Sequence, residues 1–156
     1  MNNNKKGSIL CIAGSILSLL TIFLWSGKSY LVSYVASGQE MIEEHNVFEL
    51  ILNKSILEPS ALFLVGGVIA AIIVLNRAIS GILNNKNNTL LCSSLLSINV
   101  ISAYILYLYR DQVASSMNIN VAIGINVNVI IMQVMLIVGF LLSVAGTIVA
   151  YRNKKD

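Results

Sequence analysis

Charge is scarce in this sequence. Asp, Glu, Lys and Arg make up 11% of its 156 residues, and none of them lies deep within the four long apolar runs that dominate the chain. The one histidine, His45, is also outside them. That leaves a proton relay or coupled ion site within those runs without its usual carriers. Cysteine is limited to Cys11 and Cys92. Both fall near run ends assigned below to the reducing cytoplasmic side, so they read as small apolar packing residues and not as a bridge. The single proline, Pro59, stands where a first helical residue often does. What remains is 56% hydrophobic, with a mean hydropathy of +0.81, more apolar surface than a soluble domain of this length can hide.

Four runs have the length a bilayer requires, roughly 20 apolar residues: about 7–25, 60–79, 89–109 and 128–151. Lys5 and Lys6 precede the first run, as they would in a cleaved signal peptide. That run exceeds a usual signal core, however, and no A-x-A site follows it. The expected fold class is therefore membrane all-α: a left-handed bundle of four transmembrane helices with a small extracellular β-sheet cap. Residues 1–156 form one four-span domain with outer segments at 27–58 and 110–127.

The cap is expected from a change of period. Asn118, Asn120, Ala122, Gly124, Asn126 and Asn128 alternate with Ile119, Val121, Ile123, Ile125, Val127 and Val129, the period of two of a strand with one apolar face. The alternation predicts a strand over 118–125 that pairs with a second one over 29–36. Its face of Ile119, Val121, Ile123 and Ile125 would pack on the helix tops or on residues 39–52. That last segment reads as an amphipathic helix, with Met41, Ile42, His45, Phe48 and Leu52 near one side. Residues 110–117 read as a short loop.

Seven of the ten Lys and Arg residues lie at the N-terminus, in the 76–88 turn or at the C-terminus. The positive-inside rule then places both termini in the cytoplasm of a cell-membrane protein. Six of the seven acids fall on the other side. The basic residues form no patch, so the net charge of +3 does not imply nucleic acid; the partners expected are the bilayer and a second copy or another membrane protein. Trp25, Tyr30, Tyr107 and Tyr109 form an outer aromatic belt.

Small residues recur at heptad-like steps: Gly7, Cys11, Gly14 and Ser18 in the first span, Gly67 and Ala71 in the second, and Gly139, Ser143, Gly146 and Ala150 in the last. They let helix backbones approach where lipid removes the hydrophobic drive for association, and a period near 3.5 implies left-handed crossing. Asn99 and Gln133 are the notable polar residues within spans, and they read as interhelical hydrogen-bond donors and acceptors. Gly27-Lys28-Ser29 matches only the end of a phosphate loop, since the earlier glycine would fall at Ile22. His45 with Glu44 and Glu49 lacks a second His or an outer Cys for metal. No catalytic residue, metal site or cofactor is expected.

The basic N-terminus, a first span ending in Trp25, a long outer segment with strand character, and Val121-Ala122-Ile123-Gly124-Ile125 entering a fourth span together resemble small prokaryotic four-span membrane proteins. The layout is also similar to the claudin-like tetraspan plan, which implies that both outer segments join one sheet. Residues 27–58 contain neither Trp nor Cys, so the claudin outer-loop signature is absent and no functional residue carries over. Two functions are expected to compete: a non-enzymatic membrane scaffold or accessory protein acting through its cap, and a channel or transporter subunit conducting as an oligomer past Asn99 or Gln133.

Overall fold

The computed structural model describes residues 2–36, 39–52, 59–116 and 122–152. Helix α1 (Asn3–Leu20) starts at Asn2, whose side chain accepts from the Asn4 amide, and tightens into a 3₁₀ turn over Thr21–Leu24. Strands β1 (Tyr30–Ala36) and β2 (Gln39–His45) follow, then a short helix α2 (Val47–Leu52). Helix α3 (Pro59–Leu83) leads through a turn to α4 (Thr89–Leu96) and α5 (Ile98–Ser116). Strand β3 (Ala122–Ile125) then enters α6 (Val127–Tyr151). Four helical stretches are long and apolar enough to cross a membrane: Asn3–Leu24, Ala61–Leu83, Thr89–Tyr109 and Val127–Tyr151.

The sheet has three strands in the order β2-β1-β3, both pairings antiparallel. The predicted pairing of the late strand with the early one is present, with Tyr30 opposite Ile125 and Ser33 opposite Ala122. Within 118–125 the described strand covers Ala122–Ile125, and Ile119 and Val121 lie outside the described residues. Ile125 packs on the core that holds Tyr30, Val32, Val47 and Val129.

Two expectations are corrected. Residues 39–45 are a strand and not the first half of an amphipathic helix, because each of them pairs with a residue of β1, from Tyr30↔His45 to Ala36↔Gln39. Only Val47–Leu52 is helical, and its start is fixed locally by a capping box. There the Asn46 side chain accepts from the Glu49 amide at 2.8 Å, and the Glu49 carboxylate accepts from the Asn46 amide at 3.2 Å. Residues 110–116 continue α5 and do not form a loop. They contain neither glycine nor proline, so nothing in them ends a helix already under way.

The third span, Thr89–Tyr109, has the expected bounds and is built from two helices meeting at Ser97. The Ser97 amide donates to the Ser93 carbonyl, the Val100 amide reaches only three residues back to Ser97, and the Ser97 hydroxyl donates to the Ser94 carbonyl at 2.7 Å. Hydroxyls that bond back to their own helix compete with the ladder and bend it.

One end of the bundle gathers the starts of α1 and α4 with the ends of α3 and α6. There the Asn2 side chain donates to that of Asn85, which takes the left-handed conformation (φ 51°) in the turn after α3. The sheet sits at the other end.

Candidate functional site: the helix seams and the sheet cap

Helices α1 and α6 run antiparallel along the two small-residue stripes. A Cβ built on Gly14 would collide with the Gly139 carbonyl oxygen, and one on Gly7 with that of Gly146. In the reverse direction a Cβ on Gly139 would lie 2.7 Å from the Gly14 oxygen and 2.9 Å from Ser18 Oγ. Gly146 faces the Gly7 oxygen and Cys11 Sγ, and the Cys11 thiol points at the Ser143 carbonyl, 3.8 Å away. Ala150 approaches Gly7. These four glycines therefore stand where backbone meets backbone, and no other side chain has room there. In α3, Gly67 faces Ser102 and Asn99 of α5, while Ala71 is wholly buried beside Val74, Ala78, Cys11, Cys92 and Leu96.

Polar side chains within the long helices are used between helices. Asn99 is fully buried and donates from Nδ2 to Ser18 Oγ at 2.6 Å, tying α5 to α1. Ser18 Oγ in turn donates to the Gly14 carbonyl at 3.0 Å. Ser102 donates to the Phe63 carbonyl at 3.0 Å, Gln133 to the Ala103 carbonyl at 3.0 Å, and Thr147 to the Thr89 carbonyl at 2.9 Å. Bonds of this kind contribute around 1 kcal/mol each. Asn99 Oδ1 has no hydrogen-bond partner among the described residues. Near it is a cavity of about 10 Å³ between Ser18, Thr21, Gly67 and Ser102. Gln133 lies instead at an open groove between α5 and α6, beside Tyr104 and Tyr107. Asn99 and Gln133 are thus not brought to a common path.

The cap is bolted to the bundle at several points. Tyr30 is buried and its hydroxyl donates to the Leu106 carbonyl at 2.7 Å; burial and the neighbouring Tyr109 push its pKa up. The Val47 amide donates to the Trp25 carbonyl, and the Trp25 and Phe48 rings meet edge-on with centroids 5.5 Å apart. Asn126 caps α6 while its amide donates to the Ser29 carbonyl, and Asn128 Nδ2 donates to the Lys28 carbonyl.

The far side of the sheet is open. Ile42 is 65% exposed and Val35 64% exposed, flanked by the exposed Glu40 and Glu44. Glu44 pairs with Lys28 at 2.5 Å, and Tyr34 donates to Glu43 at 2.5 Å, which raises the Tyr34 pKa. His45 lies 3.8 Å from Glu43 and 3.6 Å from Glu49, with Glu44 turned to Lys28 instead. Among the described residues no group of three His, Cys, Asp or Glu side chains is placed to hold a metal ion.

The sequence predicts Cys11 and Cys92 near the same membrane face, as small packing residues. The fold places both in one buried aliphatic cluster, each thiol directed at a different backbone carbonyl, Ser143 for Cys11 and Val74 for Cys92. Their shared depth was visible in the sequence; that their helices pack side by side was not. The Ser18–Asn99 link was half visible, since both residues were picked out for different reasons.

These features define a mostly helical chain with four helices able to span a membrane and a three-stranded sheet at one end, the architecture of a multi-pass membrane protein. No family model, curated protein or solved structure matches the chain.

Proposed function

We propose that the chain is a cell-membrane protein with both termini in the cytoplasm, an extracellular sheet, and a non-enzymatic role as a scaffold or accessory subunit. The observation that carries this reading is the open outer surface of a rigidly anchored cap. Strand β2 has β1 as its one strand neighbour among the described residues, and it displays Ile42 between Glu40 and Glu44. An exposed strand edge offers unpaired backbone groups to another chain, and the acids on it guard against indiscriminate pairing. The charge distribution supports this orientation: Lys5, Lys6, Arg77, Lys86 and Arg152 lie at one end, and Glu40, Glu43, Glu44 and Glu49 at the sheet end with Lys28. Cytoplasmic loops carry the excess of Lys and Arg.

A conducting subunit is the competing reading. The bonds from Asn99 to Ser18 and from Gln133 to Ala103 speak for helix association over a conducting path. The test has two arms. A photo-cross-linking residue at Ile42 in native membranes is expected to capture a protein partner, while one at the exposed Leu83 on the opposite end gives none. Capture only from Leu83 contradicts the cap reading. In liposomes the purified protein is expected to pass no ions selectively, and robust selective flux abolished by Asn99→Leu would overturn the scaffold role.

A further inference from the structure

Every hydroxyl hydrogen around the small cavity between α1, α3 and α5 is already committed. Ser18 donates to the Gly14 carbonyl, Thr21 to the Ser18 carbonyl at 2.7 Å, and Ser102 to the Phe63 carbonyl. Ser18 Oγ also accepts from Asn99 Nδ2. What these hydroxyls have left to offer is lone pairs. The strongest acceptor beside them is Asn99 Oδ1, the carbonyl oxygen of a fully buried amide, with no hydrogen-bond partner among the described residues. A buried acceptor left unsatisfied is costly. Gly67 makes the room. A Cβ there would lie 3.1 Å from Ser102 Oγ and 3.6 Å from Asn99 Oδ1, so its missing side chain leaves a gap that both oxygens border. The cavity measures about 10 Å³ for a water-sized sphere, and its other walls are apolar, among them Leu64 and Leu136.

We propose that this cavity binds one water molecule, which donates one hydrogen to Asn99 Oδ1 and the other to Ser102 Oγ. The ligand must be a donor, because only acceptors are free, and it must be small. Water meets both conditions, and two acceptors match its two hydrogens. Cavities that stay dry are lined by apolar groups alone, whereas a site with two or more polar partners and this volume holds water. A metal or ammonium cation would also suit bare lone pairs. No Asp or Glu lies in the four spans to balance its charge, however, and burying an uncompensated charge costs far more than burying a neutral molecule. The water joins two interhelical bonds into one network. That network runs from the Gly14 carbonyl through Ser18, Asn99, the water and Ser102 to the Phe63 carbonyl, and so ties α1, α5 and α3 together. Linked bonds of this kind polarise and strengthen one another. Gly67 then has a different task from Gly14 and Gly139: it keeps a place for water instead of letting two backbones touch.

The full chain in native-lipid nanodiscs provides the test, by X-ray hydroxyl-radical footprinting read by mass spectrometry. Radicals born from a bound water oxidise the side chains beside it, even where bulk solvent has no access. Leu64 lines the cavity, while the equally buried Leu96 sits in the aliphatic cluster with Ala71 and Val74. Leu64 is expected to be modified several-fold faster than Leu96, and to fall to the Leu96 rate in Gly67→Ala, whose methyl fills the gap. Equal rates in the wild type, or a Leu64 rate that Gly67→Ala leaves unchanged, would overturn the proposal. Water-edited solid-state NMR of the wild type needs no variant to fold. Magnetisation passed from water is expected to reach Asn99 Cγ well before the buried Ala71 Cβ, and simultaneous arrival at both contradicts a bound water. Both measurements are expected to be the same when N-methylglucamine replaces sodium and potassium. A Leu64 rate or an Asn99 Cγ shift that depends on the metal cation would put an ion in the site and overturn the assignment to water.

Discussion

Gly14→Ala places one methyl group against the backbone of α6. The Cβ it adds would collide with the Gly139 carbonyl oxygen, and a Cβ on Gly139 would in turn lie only 2.7 Å from the Gly14 oxygen. Neither partner is a flexible side-chain end, so the two helices must separate by roughly 0.5–1 Å before carbon and oxygen reach ordinary contact. Overpacking of this kind costs about 1–3 kcal/mol. Against it stands the better helix propensity of alanine, worth up to about 1 kcal/mol. Gly66→Ala is the matched control, because its added Cβ meets only the Ile98 Cδ1 methyl at 3.1 Å, the movable end of a side chain. It gains the same propensity without the backbone clash. The difference between the two variants therefore isolates the seam and should be about 1–3 kcal/mol, with Gly14→Ala the less stable. Unfolding in mixed micelles, followed by circular dichroism against denaturing detergent, measures it. Equal stability of Gly14→Ala and Gly66→Ala would refute the idea that α1 and α6 meet through their backbones.

Further consequences concern the cap. Tyr30→Phe removes the 2.7 Å bond to the Leu106 carbonyl and should cost about 1 kcal/mol, read as faster amide exchange across β1; unchanged exchange would mean that this hydroxyl does not anchor the sheet. Asn46→Ala removes the side chain of the capping box and should cost about 1 kcal/mol, with lost protection confined to α2. The bond to Glu43 raises the Tyr34 pKa above the ordinary tyrosine value. A raised folded value means that this contribution is whole below the unfolded pKa, about 10, and is lost as pH climbs through the folded one. Ultraviolet titration should therefore find a late-ionising phenol besides Tyr30, gone in Tyr34→Phe and moved earlier in Glu43→Gln; the same curve for all three would contradict the bond.

Much of the architecture was legible because the bilayer's demand for apolar length is a blunt constraint. Four runs without deep charges correspond to the four long helices, and the alternation before α6 announced a strand whose described part, Ala122–Ile125, pairs with Tyr30–Ser33. What escaped was local competition. Residues 39–45 satisfy a helical spacing and a strand pairing equally well on paper, and the β1 partner decided between them. The signal that divides this segment was present in Asn46 and Glu49, three residues apart, which mark a helix start at that point. The break at Ser97 was hidden because a run of apolar residues and serines reads the same whether its helix is straight or bent. Glycine and small-residue stripes pointed to helix surfaces, and geometry then paired Gly7 with Gly146 and Gly14 with Gly139. That Cys11 and Cys92 share one buried cluster depends on how separate helices stack, which no spacing along one chain encodes.

The scaffold reading requires the sheet to face outward and the basic end to face the cytoplasm. Cysteine accessibility on intact cells tests this directly, because Cys11 and Cys92 are buried and contribute no background. Asn46→Cys, beside the sheet, is expected to react with a membrane-impermeant maleimide, and Asn85→Cys, in the turn between α3 and α4, to react only after the cells are opened. Labelling of Asn85→Cys on intact cells with Asn46→Cys protected would contradict it.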